Sequence, residues 1–143
     1  MKNIVIVRNA KKNDAIAFSQ LNKLFNDIEI CPDVIVRKLD STGEIVLISE
    51  LNGSVVGFGC AQIYQTICSD YDIMEITELF IQKDSRRMGI ASLILKKFEE
   101  IAYKHGICEI KLVTGQKNQT AQKLYQKNGF LIKNRYLFEK TIC

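Results

Sequence analysis

The pair Asn52-Gly53 separates two segments that are rich in β-branched and apolar residues, 44–51 and 54–65. Both central positions of a tight hairpin turn need a positive φ, which asparagine and glycine adopt at little cost. The pair therefore predicts an antiparallel β-hairpin in the middle of the chain. A chain of 143 residues has room for one domain with a real core around such a hairpin.

Helices and further strands are predicted on both sides of this hairpin. Apolar residues recur at three- and four-residue spacing in three segments, which predicts helices over 14–28, 91–104 and 118–127, with Asn13 as a candidate cap of the first. Strands are predicted over 4–8, 72–81, 107–113 and 130–140, and the ambiguous segment 32–40 can form a short helix. This order favours one α/β (α+β) domain over 1–143, with a mixed, mostly antiparallel central sheet flanked by helices.

Composition narrows the classes of function. The net charge is +4, from 20 basic and 16 acidic residues without a basic run, so we expect no nucleic-acid partner. The five cysteines are scattered and His105 is the single histidine, so no metal site is expected. Free thiols suit a reducing compartment, and no apolar window approaches a membrane span. These observations predict a cytoplasmic protein without a membrane partner.

The turn Arg86-Arg87-Met88-Gly89-Ile90-Ala91 joins a predicted buried strand to a predicted amphipathic helix. Unpaired N–H groups and the positive end of the helix dipole attract an anion, and glycine lets the backbone come close to it. The turn is therefore a candidate phosphate site, in which the N–H groups from Arg87 to Ser92 would hold the anion and Arg86 or Arg87 would add charge. The alternative is that both arginines are ordinary solvated turn residues.

Two motifs in this order resemble the GCN5-related N-acetyltransferase (GNAT) superfamily. The first is Arg-x-x-Gly-x-Ala at 86–91, which follows the strand text Glu78-Leu79-Phe80-Ile81. The second is Asn-x-x-Ala at 118–121 with Leu-Tyr-x-Lys-x-Gly-Phe at 124–130. The opening segment 7–14 is also similar, whereas Ala91 stands where glycine is more usual and 28–41 matches nothing specific.

The resemblance implies an enzyme that transfers an acetyl group from acetyl-CoA to an amine acceptor by direct attack in a ternary complex. The acceptor stays open among polyamines, aminoglycosides, amino acids and protein amines, and homodimers are common in the family. Asn118 would cap its helix and contact the CoA arm. The implied cofactor-binding residues are Leu79, Phe80, Ile81, Arg86, Arg87, Met88, Gly89, Ile90, Ala91, Ser92 and Asn118.

Two residues are the catalytic candidates. Tyr125 matches the family's general acid, which protonates the departing thiolate, although it also lies on the apolar face of its helix, where an aromatic side chain usually packs in the core. Glu78 is the preferred base, with Glu75 as the alternative on the opposite strand face and ordered water as a third option. A competing hypothesis is a non-catalytic acyl-CoA-binding sensor or interaction module.

Overall fold

The computed structural model describes residues 2–143, which form two compact units, 2–113 and 114–143. The two units are described separately below, and the expectation of a single domain stays a prediction. The elements of the first unit are β1 (Val5–Asn9), α1 (Ala15–Asn26), α2 (Pro32–Ser41), β2 (Ile45–Leu51), β3 (Ser54–Tyr64), β4 (Ile73–Ile81), α3 (Ile90–Lys104) and β5 (Glu109–Leu112).

The five strands of the first unit form one sheet in the order β1-β2-β3-β4-β5. The first three pairings are antiparallel and the β4–β5 pairing is parallel, which confirms the mixed, mostly antiparallel sheet. The predicted hairpin is confirmed, because Leu51 pairs with Ser54 across a turn in which Asn52 has a φ of 52° and Gly53 a φ of 86°.

Aromatic side chains connect one face of the sheet to α1. Phe58 of β3 and Phe80 of β4 are buried, and their rings meet Phe18 and Phe25 of α1, with ring centroids 4.5 Å apart for Phe18 and Phe58 and 4.9 Å apart for Phe25 and Phe80. Leu21 of α1 is buried in the same cluster. Burial of this much apolar surface fixes α1 on the sheet.

Glycines bring α3 close to the opposite face. Phe58 points towards α1, so its neighbours in β3 point the other way, where Gly57 and Gly59 are both buried. A Cβ at Gly59 would lie 2.8 Å from side-chain atoms of Ile94 and of Phe98, both on α3. A Cβ at Gly57 would lie 2.6 Å from the carbonyl oxygen of Phe80. At Gly59, α3 therefore packs directly against the backbone of β3, whereas at Gly57 the close neighbour is β4.

The start of α1 differs from the expectation. Residues Lys12–Asp14 form a 3-10 turn, α1 begins at Ala15, and its N-cap is Asp14 rather than Asn13. The Asp14 carboxylate accepts from the Lys11 N–H at 2.7 Å and from both terminal nitrogens of Arg8 at 2.8 and 2.9 Å. The Asp14 side chain makes no hydrogen bond to the first turn of α1, because Arg8 and Lys11 engage its carboxylate instead. The ambiguous segment 32–40 forms α2, with a proline in its first turn.

The second unit contains α4 (Gln119–Lys127), which is capped as expected. The Asn118 side chain accepts a hydrogen bond from the N–H of Ala121 at 3.1 Å. The predicted strand over 130–140 is wrong. Residues 130–143, called the C-terminal tail below, form no strand in the described structure. A strand needs a ladder partner for its backbone groups, and no described strand pairs with the tail.

Candidate active site

The carboxyl half of β4 has an open side. Its parallel neighbour β5 pairs with it only from Ile73 to Ile76, and β4 continues to Ile81. Along the remaining residues no strand within 2–143 pairs with this side of β4. Phe80 and Ile81 are buried and Leu79 is half-buried. These three expected cofactor residues can therefore offer a ligand their backbone N–H and C=O groups rather than their side chains.

Arg86 closes the turn that follows β4. Its Nε donates to the carbonyl oxygen of Ile81 at 2.8 Å, and its guanidinium carbon lies 5.6 Å from the centre of the Phe80 ring. Arg86 therefore anchors the turn on the end of the strand. Arg87 is exposed and has a φ of 64°, a left-handed conformation that costs a non-glycine residue energy. Both arginines are exposed, and the Arg86 guanidinium is held against the end of β4.

The first turn of α3 presents its backbone donors to an anion. Gly89 is the N-cap with a φ of 76°, and no side chain caps the helix. The first intrahelical bond runs from the Leu93 N–H to the Gly89 carbonyl at 3.1 Å, so the N–H groups of Ile90 and Ala91 precede the helical ladder. A Cβ at Gly89 would meet no protein atom within 4 Å. The open space and the uncapped donors fit a phosphate group.

The candidate base Glu78 lies on the sheet face that α1 covers. It pairs with Cys60 of β3, and it is half-buried. Burial raises the pKa of the Glu78 carboxyl above its usual range, the side-chain amide of Asn26 works in the opposite direction, and the negative charge of Glu44 raises the pKa further. A carboxylate with a raised pKa binds a proton more readily than a solvated one, as a base that receives a proton from an ammonium group must.

The expectation that Glu75 and Glu78 point to opposite faces is wrong. The register shifts within this pair of strands, so that Glu78 pairs with Cys60 whereas Glu75 pairs with Gln62. Residues 60 and 62 of β3 share a face, and so therefore do their partners. The bulge inserts one extra residue into β4, and simple alternation fails there. Glu75 is instead engaged by Lys111 of β5, whose Nζ lies 3.7 Å from its carboxylate.

Glu44 and Asn26 are members of this environment that sequence reasoning missed. Glu44 is half-buried immediately before β2, and burial raises the pKa of its carboxyl. Its carboxylate lies beside the buried thiol of Cys60, whose pKa is raised mainly by burial and also by the charges of Glu44 and Glu78. Cys60 is a buried residue of the core. The hairpin register could have revealed Glu44, because Val46, two residues later, pairs with Cys60.

In the second unit, Tyr125 lies two turns after the Asn118 cap. Its ring is half-buried and meets the Phe130 ring edge-on, with centroids 5.9 Å apart. Burial raises the pKa of the Tyr125 phenol above its usual value of about 10. The hydroxyl is therefore protonated at neutral pH and has a proton to donate. The half-buried position is compatible with both the catalytic and the packing interpretation.

A family model described as Acetyltransferase (GNAT) family matches residues 15–130. This range includes both motifs, the open side of β4 and the uncapped start of α3. The chain belongs to the GNAT acetyltransferase family. It is therefore an acetyltransferase, and the fold expected from the resemblance is confirmed.

Relatives of this GNAT chain carry the same class of name. It is 28% identical over 133 residues to the uncharacterized N-acetyltransferase YhfO of Bacillus subtilis strain 168, covering 87% of this chain and 88% of the relative. It is 32% identical over 96 residues to the uncharacterized N-acetyltransferase MJ1207 of Methanocaldococcus jannaschii, covering 66% of this chain but 42% of that longer protein.

Solved structures show the same fold at low sequence identity. The aminoglycoside acetyltransferase AAC(6')-Iy, in complex with a bisubstrate analogue of CoA, superimposes with a TM-score of 0.84 at 20% identity, covering 98% of this chain and 99% of that one. A ribosomal-protein-alanine N-acetyltransferase of Brucella melitensis superimposes with a TM-score of 0.83 at 15% identity, covering 98% and 100%. Among residues 2–143, no helix of this GNAT protein has the length and apolar character needed to cross a bilayer.

Proposed function

We propose that this protein is an acetyl-CoA-dependent N-acetyltransferase that acetylates an amine by direct attack in a ternary complex. The observation that carries the proposal is the open side of β4 leading into the uncapped N-terminus of α3. An extended pantetheine arm can bond to free strand backbone, and a pyrophosphate can bond to free helix N–H groups. The open side of β4 and the N-terminus of α3 lie within twenty residues of each other in the sequence.

The cofactor-binding residues divide into four roles. Leu79, Phe80 and Ile81 offer backbone groups along β4, and Arg86 holds the turn against the strand. The turn and first helical residues, Arg87, Met88, Gly89, Ile90, Ala91 and Ser92, surround the pyrophosphate with N–H groups and the Arg87 charge. Asn118 keeps α4 capped and, by family likeness, contacts the CoA arm. When bound, acetyl-CoA supplies a thioester whose acetyl group an amine can attack.

Glu78 is the proposed base. Most alkyl amines are protonated at neutral pH, with a pKa near 10.4, so the acceptor must lose a proton before it attacks. Glu78 is only half-buried and retains access to solvent, so it can take this proton directly or through a water molecule. Glu75 is the weaker candidate because its carboxylate already forms an ion pair with Lys111.

Tyr125 is the proposed acid. Its raised pKa keeps the phenol protonated, and a phenol can donate its proton to the thiolate that leaves as the C–S bond breaks. Cys60 is not proposed as a nucleophile, since burial raises the pKa of its thiol, which is therefore protonated. We include a cytoplasmic location and a homodimeric state in the proposal.

The experiment is an acetyl-transfer assay that follows thiol release from acetyl-CoA with a panel of amines: an aminoglycoside, a polyamine, free amino acids, and peptides with a free N-terminus or lysine. Acetylation of at least one class supports the enzyme. Binding of acetyl-CoA with no transfer to any class would favour the alternative, a non-catalytic acyl-CoA-binding module.

Tyr125→Phe then tests the acid. Loss of the hydroxyl should lower turnover by roughly 10- to 1000-fold with little change in acetyl-CoA affinity. Tyr103→Phe is the matched control, because Tyr103 lies exposed on α3 and should leave turnover unchanged. Equal turnover of Tyr125→Phe and wild type, measured where chemistry limits the rate, would assign Tyr125 to packing alone.

A further inference from the structure

The carboxyl end of α1 lies over Glu78. Phe25 of α1 stacks on Phe80 of β4, with ring centroids 4.9 Å apart. Glu78 and Phe80 share a sheet face, because their partners in β3 lie two positions apart. Asn26 follows Phe25 as the last residue of α1, and its side-chain amide forms a hydrogen bond with the Glu78 carboxylate.

A second amide fixes the Asn26 side chain. Asn22, one turn earlier in α1, is buried, and its Nδ2 donates to the carbonyl oxygen of Ile28 at 3.1 Å. Because that nitrogen faces a carbonyl, the Oδ1 of Asn22 is the free acceptor, and it receives a hydrogen bond from Nδ2 of Asn26 at 2.7 Å. An amide nitrogen has two hydrogens, so Asn26 can donate to Asn22 and to Glu78 at once.

No basic side chain takes the place of this amide. None of the ion pairs formed among residues 2–143 includes Glu78. Burial and the negative charge of Glu44 raise the pKa of the Glu78 carboxyl, whereas the hydrogen bond from Asn26 lowers it. A base must be ionised before it can accept a proton, so loss of the amide would leave Glu78 protonated over more of the working pH range.

The other charged and titratable groups around this carboxylate cannot do the same. Glu44 carries a negative charge, and the buried thiol of Cys60 is protonated. Lys38 of α2 acts on Glu44, whose pKa it lowers. On the same face of β4, Glu75 is occupied by Lys111, whose Nζ lies 3.7 Å from its carboxylate.

We propose that Asn26 is a positioning residue of the reaction, whose amide, anchored by Asn22, holds the Glu78 carboxylate ionised and in one orientation. This inference rests on the proposed role of Glu78 as the base. The amide hydrogen occupies one lone pair of the carboxylate, so other lone pairs stay free for the proton. The acceptor's ammonium N–H bond then breaks, its proton bonds to a Glu78 oxygen, and the amine is left neutral with the electron pair that attacks.

Asn26→Leu tests the inference, because leucine keeps the side-chain volume and removes both amide hydrogens. Asn26 is exposed at the end of α1, so the variant should fold. Gln20→Leu is the matched control, since it removes an amide from another exposed position of α1. Two quantities are measured: the titration of the Glu78 carboxyl by carbon NMR, assigned with Glu78→Gln, and the pH dependence of kcat/KM with an amine that wild type acetylates.

We expect Asn26→Leu to raise the pKa of Glu78 and to move the acidic limb of the activity profile towards higher pH. At about pH 6, kcat/KM should fall roughly 3- to 10-fold, and the ratio to wild type should recover as the pH rises. Gln20→Leu should match wild type in both measurements.

The NMR titration separates failure of this inference from failure of the proposed function, because it needs no acetyl transfer. A Glu78 titration that Asn26→Leu leaves unchanged overturns the inference whether or not the protein is active. An equal loss of activity at every pH also overturns it, since that is the result of a merely structural role. If wild type acetylates no amine, the proposed function fails and the inference fails with it, even where the titration moves.

Discussion

The two faces of the sheet are built on opposite principles. On one face, large aromatic side chains of β3 and β4 meet α1, and beyond them Glu44 and Glu78 lie half-buried around Cys60. On the other face, β3 contributes glycines, and α3 packs against the backbone itself. The first face contains ionisable groups at its margin, whereas the second has no room for a single added carbon.

This difference assigns a separate task to each face. A helix held at backbone distance has a fixed N-terminus, which suits a site where several N–H groups must point at one anion. On the other face, the apolar cover ends at half-buried carboxylates. Burial keeps the pKa of these carboxylates high, which suits the deprotonation of an ammonium group. In the proposed function, one face positions the cofactor and the other receives the acceptor's proton.

Replacement of the base should give the largest effect. Glu78→Gln keeps the side-chain shape but removes the carboxylate, and general-base catalysis contributes about 100- to 10,000-fold, so turnover should fall within this range. Wild-type activity should rise with pH, and the deficit of the variant should be greatest at low pH, where the amine is hardest to deprotonate. Steady-state kinetics between pH 6 and 9, at about unit steps, measures both quantities.

Glu75→Gln is the matched control, because it lies on the same sheet face but its carboxylate is paired with Lys111. We expect its pH profile to match wild type. If Glu75→Gln loses activity and Glu78→Gln does not, Glu75 rather than Glu78 is the base. If neither variant loses activity, the proton leaves through ordered water and no carboxylate base should be assigned.

An added carbon on the glycine face should give the next largest effect. In Gly57→Ala, the Cβ would lie 2.6 Å from the Phe80 carbonyl oxygen and 2.5 Å from the Ile81 side chain, so backbone must shift. Overpacking of this kind costs roughly 1–3 kcal/mol of unfolding free energy, which urea denaturation can measure. Gly115→Ala, where a Cβ meets nothing within 4 Å, should be nearly neutral. Equal stability of both variants would refute the close approach of β4 to the backbone of Gly57.

Replacement of Asp14, the ion-paired carboxylate of the α1 face, should lower the free energy of unfolding by about 1–2 kcal/mol. Arg8 hydrogen-bonds lower the pKa of Asp14, so this group stabilises the fold above its unfolded pKa of about 4, and the contribution is lost as pH falls through the folded value. Asp14→Asn should therefore destabilise the protein at pH 7, and the gap to wild type should close in acid. If the difference in stability between Asp14→Asn and wild type stays constant down to pH 2, about two units below the unfolded pKa, ionisation of Asp14 does not contribute to stability.

The half-buried carboxylate of Glu44, on the same face, should give a smaller effect of opposite sign. Burial raises the pKa of Glu44, so its ionised form costs stability at neutral pH, and the cost disappears as pH falls through the raised value. Glu44→Gln should increase the Tm at pH 7 by a degree or two, since 1 kcal/mol corresponds to about 2–8 °C. A decrease in Tm would mean that the Glu44 charge is favourably solvated.

Local sequence signals determined most of the fold. The Asn52-Gly53 turn, the apolar spacing of α3 and the Asn118 cap each depend on neighbouring residues, and the structure contains all three. The shared face of Glu75 and Glu78 depends on a bulge in the strand pairing, which no local pattern reveals. Glu44 lies near Glu78 only because of the register in which β2, β3 and β4 pair. The tail has the pattern of a strand, but no strand of the described residues pairs with it.

The central claim is that the N-terminus of α3 binds acetyl-CoA, and calorimetric titration of acetyl-CoA tests it most directly. Gly89→Val fills open space at the uncapped turn, and Gly106→Val is the matched control, because Gly106 has a similar positive φ and similar open space at the other end of the helix. Both variants bear the same backbone strain. We expect Gly89→Val to lose at least ~1–3 kcal/mol of binding free energy, and Gly106→Val to bind like wild type. Wild-type affinity in a folded Gly89→Val protein would contradict the account.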